Sequence, residues 1–369
     1  MDVRQPRERC GDAGQRARHG VVVLAGVLAW CGGCAKPLDI RTQNRFDVAG
    51  SVETRVTAEL SAVSQGGPVV AVAVEPGVPV ECAKVALIDL DGLIANAPMA
   101  GFFSLGDNPV ATVSEKLAAA ARDPTIMAVV VRINSPGGGV AATDALWREV
   151  QSFRSRTRKP TVAAIIDVGA GGGYYLAAGC DRIVAAPGAI IGGIGVVLNL
   201  YNVKDLMAQF NVFSQSIKAG DKIDLGSSVE PLDDESRQLL QEMADEYHER
   251  FKQVVRRGRP GLTPQAEPLA FDGRIMSARR ALELGLIDEI GHLEDALATA
   301  RTLAGVPDAV PVLFRRRGDA AYSLYAVTPN TPIQNQLLPF SIPGVERAKL
   351  PGFLYLWQAE PTLERASGR

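Results

Sequence analysis

Short apolar runs alternate with amphipathic stretches through the middle of this chain. The runs are rich in Val, Ile, Leu and Ala and have the length of buried strands; they cover 85–90, 128–133, 161–166 and 182–185. Between them, apolar residues recur at the spacing of a helix over 110–122, 140–157 and 202–210. Because buried strands that alternate with helices are typical of layered proteins, the pattern predicts an α/β domain with a mostly parallel sheet.

A longer helix is predicted over 233–257. Its apolar positions form one stripe, which consists of Leu239, Leu240, Met243, Tyr247, Phe251 and Val254. Acidic residues stand at its start and basic residues at its end, as the helix dipole favours, and Gly258 follows as the expected C-cap. A further helix and turn over 277–290 precede the end of the predicted core near Ala304.

The chain divides into a leader over 1–34, a linker over 35–83, the α/β domain over 84–304 and an extension over 305–369. The linker is rich in Val, Thr, Gly and Pro, and a few short strands are expected in it. The extension contains the run Phe-Leu-Tyr-Leu-Trp at 353–357, which has too many large apolar side chains for a solvated terminus. We therefore expect this run to dock on the core of its own chain or on a neighbour.

The leader has the pattern of an export signal. Several arginines precede the apolar run 21–30, which is about half the roughly 20 residues that cross a bilayer. Small residues then stand before Cys34, as at the site where bacterial lipoproteins are cleaved and lipidated. The sequence therefore predicts an exported envelope protein that is anchored to the membrane by a lipid on Cys34. The alternatives are lipidation of Cys31 after the bulky Trp30, secretion or an uncleaved anchor, and a wrong start site without export.

Composition excludes several classes of function. The net charge is −2, and arginines do not alternate with aromatic residues in the body of the chain, so a nucleic-acid partner is not expected. The five cysteines do not form two pairs at metal spacing, and neither a metal nor another cofactor is expected. The three histidines offer few candidates for a Ser/His/Asp triad. A hydrolase of this sequence needs another base.

A glycine-rich segment follows the predicted strand 128–133. Residues 134–139 have the sequence Asn-Ser-Pro-Gly-Gly-Gly and precede a predicted helix. Glycines permit close backbone approach, and free N–H groups at such a turn can stabilise an oxyanion. Alone, a strand–glycine–helix turn is equally compatible with a purely structural role.

Several ordered segments carry a family resemblance. Residues 132–138, Arg-Ile-Asn-Ser-Pro-Gly-Gly, closely resemble a segment of signal peptide peptidase A (protease IV) and its relatives. Residues 167–175, Asp-Val-Gly-Ala-Gly-Gly-Gly-Tyr-Tyr, resemble the Asp-Val-Ala-Ala-Ser-Gly-Gly-Tyr-Tyr of that family. Further matches occur in the same order at 192–196, 217–220, 271–274 and 281–289. The resemblance spans about 84–304, and the chain is identified as a member of this family.

Membership implies the fold of Clp protease and the crotonases, with stacked ββα units that are typically assembled into rings. It also implies a Ser/Lys dyad, in which the serine attacks the scissile carbonyl and a neutral lysine removes its proton. The backbone at Gly137, Gly138 and Gly172 is implied to hold the oxyanion and an extended peptide. The implied partners are therefore extended peptides, with further copies of the chain or an active relative in a mixed oligomer.

The two catalytic positions of the family are replaced in this chain. The serine falls on Gly171, which has no side chain, and the lysine falls on Ile223, which cannot accept a proton. Lys222 is one residue away, but in an extended backbone its side chain points the opposite way, and it is a weak substitute base. The flanks of both positions still match the family. The sequence thus predicts a site that lacks only its two reactive groups, with Ile223 as an apolar plug.

Two other residues are weak substitutes for the nucleophile. Cys180 is expected to be a buried structural cysteine, and Ser135 has no visible base. Three classes of function stay open. The first is a non-catalytic, membrane-anchored peptide-binding or scaffold subunit, and the second is an active serine-type endopeptidase that cleaves signal peptides or other membrane-proximal peptides with a non-standard nucleophile. The third is a crotonase-like enzyme of small molecules, which the peptidase-type motifs argue against.

Overall fold

A computed structural model describes residues 39–46, 52–59, 69–74, 82–96, 108–316 and 353–357. The predicted leader, with Cys31 and Cys34, lies outside the described residues. The chain forms two compact units, 1–62 and 63–369. In the first unit, β1 (Asp39–Phe46) and β2 (Val52–Glu59) form an antiparallel pair in continuous register.

The second unit contains a mixed sheet, as the alternating pattern predicts. Its described strands are β3 (Val69–Ala73), β4 (Lys84–Ile94), β5 (Ile126–Gly139), β6 (Thr161–Ala170), β7 (Arg182–Ala185), β8 (Ile190–Gly192), β9 (Ile275–Ser277), β10 (Glu289–Ile290), β11 (Val310–Arg316) and β12 (Leu354–Leu356). The main path has the order β10-β7-β6-β5-β4-β11-β3. Every pair along it is parallel except β11 with β3. The α/β class with a mostly parallel sheet is confirmed.

The described helices include the predicted ones near 110–122, 140–157, 202–210, 233–257 and the start of 277–290, whereas those at 267–270 and 293–304 were not indicated by the periodicity. The helices are α1 (Pro109–Arg122), α2 (Val140–Thr157), α3 (Gly172–Ala177), α4 (Lys204–Gln209), α5 (Asp234–Gly258), α6 (Glu267–Ala270), α7 (Ala278–Glu283) and α8 (Leu293–Ala304). The long helix begins where expected, because the Asp233 side chain accepts a hydrogen bond from the Ser236 amide.

The end of the long helix differs from the prediction. Gly258 is the last residue of α5, and Arg259 is the C-cap. A Cβ atom on Gly258 would lie 1.9 Å from the carbonyl oxygen of Ala178. Glycine is therefore required here because two backbones approach closely, and the helix is not ended by a left-handed glycine.

The sheet separates two hydrophobic cores. On β4, Val85 and Leu87 face one side, and Ala86, Ile88 and Leu90 face the other, as expected for alternating side chains. The first side is covered by α8, while α1, α2 and α5 contribute to the second. Each fully buried Val or Leu side chain contributes roughly 1.5–3 kcal/mol. These cores fix the strand ends that carry the glycine motifs.

The sheet also extends beyond the predicted 84–304 domain. Strand β3 lies in the predicted linker, and β11 lies in the predicted extension. They pair with each other, and β11 also pairs with β4. Both strands therefore belong to the same sheet as the domain. Among the described residues, no helix combines the length and apolarity that a membrane crossing requires.

Candidate active site

Gly171 lies in a sharp turn between the end of β6 and the start of α3. Its backbone has φ 51° and ψ −125°. Its amide donates to the Gly192 carbonyl at 2.9 Å, and its carbonyl accepts from the Tyr175 amide at 2.9 Å. Strand-to-helix turns of this strained kind present the nucleophilic serine in many hydrolases. The backbone thus retains a conformation suited to a nucleophile at a position without a side chain.

The predicted glycine turn is a strand in the structure. Strand β5 remains extended through Gly139, which is also the N-cap of α2. A Cβ atom on Gly138 would lie 2.0 Å from the Ile94 carbonyl oxygen, and one on Gly137 would lie 2.6 Å from the Gly172 nitrogen. Glycine is required because the backbones of β4 and α3 approach β5 this closely. The structure brings Gly137, Gly138 and Gly172 together beside Gly171.

Thr143 lies beneath this cluster of glycines. Its side-chain hydroxyl is the one buried side-chain polar atom without a hydrogen-bond partner among the described residues. A Cβ atom on Gly172 would lie 2.5 Å from this oxygen. A side chain at position 172 would therefore collide with α2 as well as alter the turn.

The run at 353–357 lies directly on the glycine strand. Strand β12 is antiparallel to β5, with Leu354 opposite Gly139, Tyr355 opposite Gly138 and Leu356 opposite Gly137. The structure thus supports the expectation that this apolar run docks on its own core. The N–H groups that the sequence predicts to be free face a strand of the same chain.

Main-chain hydrogen bonds hold β12 on both edges. On one edge, the Val140 amide donates to the Phe353 carbonyl at 3.3 Å, and the Trp357 amide donates to the Pro136 carbonyl at 2.8 Å. On the other edge, Leu354 and Val197 exchange two bonds of 3.0 Å each. Since bonded pairs alternate in an antiparallel ladder, Tyr355 and Gly138 between the first two pairs also belong to the bonded set. The arrangement is a groove that binds an extended strand.

The carbonyl group of Tyr355 faces Gly171. A Cβ atom on Gly171 would lie 2.3 Å from the Tyr355 oxygen and 2.7 Å from its carbonyl carbon. A nucleophile at 171 would therefore stand against this carbonyl. The sequence predicted that the run 353–357 would dock, but it did not place Tyr355 and Val197 at this site, since strand partners so distant in sequence leave no periodic signal.

An aromatic pocket receives the Tyr355 side chain. The residue is fully buried, and its ring centroid lies 5.2 Å from that of Tyr175 and 4.8 Å from that of Phe251. Its hydroxyl donates to the Tyr247 carbonyl at 2.8 Å. Burial raises the pKa of the Tyr355 phenol above its usual value, so the hydroxyl remains a donor.

The position of the predicted base does not match the expectation of a plug. Ile223 is 73% exposed and lies in a turn, so it does not fill a closed site. Lys222 has its ammonium group 2.8 Å from Glu235 and 3.2 Å from Asp233. Its hydrogen bond to Glu235 raises the pKa of Lys222. A raised pKa disfavours the neutral amine that a general base needs, so this environment does not support Lys222 as a substitute base.

The surroundings of both substitute nucleophiles are those of structural residues. The buried Ser135 hydroxyl donates to the Gly92 carbonyl at 2.6 Å and accepts from the Gly137 amide at 3.1 Å. Ser135 thus shapes the glycine strand. Cys180 is buried, and burial raises the pKa of its thiol to about 12. The expectation of a structural cysteine agrees with this environment.

Acidic, histidine and cysteine side chains do not gather at this site. Within the described part of the chain, no group of three or more of these residues has the arrangement of a metal site. The expectation that no cofactor is needed remains a prediction.

Comparison with known proteins adds a family to this geometry. Residues 154–307 match peptidase family S49. A putative protease of Synechocystis is 34% identical over 228 residues, which cover 62% of this chain and 77% of that protein. A putative signal peptide peptidase of Enterococcus faecium is 29% identical, with 63% of this chain and 67% of that protein covered. Among solved structures, a membrane-bound stomatin-specific protease has a TM-score of 0.38 at 17% identity, over 59% of this chain and 80% of its own.

Proposed function

Because this chain belongs to peptidase family S49, we propose that it is a catalytically degenerate member that binds extended peptides without cleaving them. The absence of a side chain at Gly171 carries this proposal. Cleavage by a serine peptidase forms a bond between a side-chain oxygen and the scissile carbonyl carbon. At Gly171 no such oxygen exists, and the strained turn presents only backbone.

The proton-accepting half of the reaction is also missing. Ile223 has no basic group, and Lys222 is paired with Glu235 and Asp233. In catalytic units of this kind, loss of one member already removes most of the rate. Ser135 and Cys180 do not restore the nucleophile, because one is engaged in two hydrogen bonds and the other is buried and protonated.

The binding half of the site supports the rest of the proposal. The groove between β5 and Val197 offers main-chain donors and acceptors on both edges, which is how β-strand addition holds a peptide. Beneath it, Tyr175 and Phe251 form a pocket for an aromatic side chain. Main-chain hydrogen bonds supply affinity that is independent of the peptide's sequence, and the pocket supplies a preference for an aromatic side chain.

A test measures chemistry and binding separately. The purified full-length protein should not be labelled by a fluorophosphonate and should not hydrolyse unstructured peptides. An extended peptide with a central tyrosine should bind, and the same peptide with alanine at that position should bind more weakly. Labelling of Ser135 or of Cys180, or turnover that persists in a Ser135→Ala variant and in independent preparations, would overturn the proposal.

We also propose assembly with further copies or with an active relative. Large apolar side chains are exposed along one segment, here called the 201–223 surface: Tyr201, Leu206, Phe210, Val212, Phe213, Ile217 and Ile223. Clustered exposed apolar residues are typical of interaction sites. The surface contains the family's base position, so a neighbour that covers it would also cover Ile223.

Membrane attachment is proposed from the leader alone. The apolar run 21–30 and the small residues before Cys34 support a lipid anchor. In a bacterium that processes lipoproteins, the protein should partition into detergent, and a Cys34→Ala variant should lose this behaviour. Equal partition of both proteins would contradict the anchor.

A further inference from the structure

We propose that residues 353–357 are a resident ligand of the peptide groove and that Gly171 is the position that admits them. The proposal rests on the proposed peptide-binding function and concerns the regulation of that same groove. A groove that is filled from within its own chain accepts another peptide only after the resident segment leaves.

The binding mode of the segment is that of a peptide ligand. It makes main-chain hydrogen bonds to β5 on one edge and to Val197 on the other. Tyr355 is fully buried, Leu354 is almost fully buried, and the Tyr355 hydroxyl donates to the Tyr247 carbonyl. Ordinary packing of a terminal run does not require a two-edged ladder. The segment makes hydrogen bonds with the backbone groups of the groove and also fills the aromatic pocket.

Space at position 171 links the occupant to the lost nucleophile. A Cβ atom on Gly171 would lie 2.3 Å from the Tyr355 carbonyl oxygen and 2.7 Å from its carbon, and 2.9 Å from the Pro136 oxygen. All three are backbone atoms that are fixed by the sheet, and none can rotate away. Any residue other than glycine at 171 is therefore incompatible with this position of the segment.

Gly137 provides the second half of the same space. A Cβ atom there would lie 1.8 Å from the Tyr355 oxygen. The carbonyl of Tyr355 thus sits between two positions that lack a Cβ atom. Gly137 belongs to the family's motif, whereas glycine at 171 replaces the family's serine. The replacement that removes chemistry is also the one that makes room for the resident segment.

Hydrogen exchange on full-length variants tests this link. In the unchanged protein, the amides of Leu354, Trp357, Val140 and Val197 should be protected. Gly171→Ala should remove protection at Leu354 and Trp357 by at least about tenfold, while the amides of β4 stay protected. Gly273→Ala is the matched control, because Gly273 also has a positive φ of 84° but would have no atom within 4 Å of its Cβ.

Binding of a labelled Phe-Leu-Tyr-Leu-Trp peptide supplies the second measurement. The unchanged protein should bind it weakly, because the groove is full. Tyr355→Ala should empty the groove. Because the competing segment has left, this variant should bind the probe at least about tenfold more tightly, which corresponds to about 1.4 kcal/mol. Tyr355→Phe keeps the ring and should stay close to the unchanged protein. Adding Gly171→Ala to Tyr355→Ala should abolish probe binding.

Each result decides one question. Unchanged protection at Leu354 and Trp357 in the Gly171→Ala variant would overturn the inference, as would equal probe binding by the unchanged protein and a folded Tyr355→Ala variant in which these amides exchange freely. If Gly171→Ala releases the segment but emptied Tyr355→Ala binds no probe, the resident segment stands and the general peptide-binding function fails. Circular dichroism on every variant separates release from unfolding.

Discussion

The backbone conformation and the missing side chain of Gly171 act together. Its backbone keeps φ 51° and ψ −125°, which L side chains rarely adopt, and such positions cost of order 1–3 kcal/mol when a side chain is present. A serine peptidase tolerates this cost because the strain presents the nucleophile. Glycine at 171 avoids this cost and leaves space for the Tyr355 carbonyl, and in the proposed function it also removes the nucleophile.

Restoring the two family residues should not restore cleavage. In the double variant Gly171→Ser with Ile223→Lys, the new Cβ at 171 collides with the Tyr355 carbonyl. The new lysine lies at an exposed position, where burial does not favour the neutral amine that a general base needs. Hydrolysis of a fluorogenic unstructured peptide should match that of either single variant. Turnover at pH 7 that requires both new residues would contradict this prediction.

Cys180 should resist alkylation in the folded protein. Burial raises the pKa of its thiol to about 12, so very little of the reactive thiolate forms at pH 8. Cys82, which is partly exposed, is the matched control. Peptide mapping after iodoacetamide treatment should find Cys82 modified and Cys180 unmodified, and urea should make both react. Native modification of Cys180 at the rate of Cys82 would contradict the assigned burial.

The helices and central strands follow closely from the sequence, and the differences have physical causes. Periodicity places α1 and α2 almost to the residue, because their apolar stripes are continuous. It fails at 134–139, where three glycines resemble a turn but form strand, since the strand is specified by neighbours on both sides. Strands β3, β11 and β12 were missed as members of the sheet because their partners are distant in sequence.

The sequence predicts one part of the candidate site and not the other. Motif order alone identified Gly137, Gly138, Gly171 and Gly172, and the structure brings these four together. The motifs could not predict that Ile223 is exposed, because exposure depends on how the 201–223 surface packs. Nor could they predict the register of β12, which is set by contacts between residues far apart in the chain.

Gly258 offers a test of close packing between elements. In a helix, alanine is more stable than glycine by about 1 kcal/mol, so propensity alone predicts that Gly258→Ala is stabilising. The structure predicts the reverse, because the new Cβ would lie 1.9 Å from the Ala178 oxygen, and overpacking costs typically 1–3 kcal/mol. Urea unfolding should show a net loss of stability. Gly261→Ala, with no atom within 4 Å, is the control and should change little.

At the scale of the whole molecule, β12 fills the peptide groove, and the apolar side chains of the 201–223 surface are exposed. The second compact unit holds both, and its sheet draws strands from the predicted linker and the predicted extension. The large apolar side chains of the 201–223 surface are exposed, which supports the proposed assembly.

Charge on the 201–223 surface should disrupt assembly without unfolding the chain. Phe213 is 67% exposed, so Phe213→Asp should shift the population towards the monomer in light scattering, by about tenfold or more in the association constant. Leu282→Asp is the control, because Leu282 is 40% exposed on α7 and lies outside this surface. An unchanged protein that is monomeric at every concentration would contradict the proposed oligomer.

The covalent connection of β12 to its groove has a further consequence for concentration. Phe353 is joined to Arg316 through residues 317–352, so occupant and receptor are parts of one molecule. Occupancy of such a site by a segment of the same chain is an intramolecular equilibrium and does not depend on the number of molecules per litre. Dilution therefore cannot empty the groove. A free peptide at micromolar levels must therefore compete with residues 353–357 for the groove, and dilution of the protein does not weaken this competition.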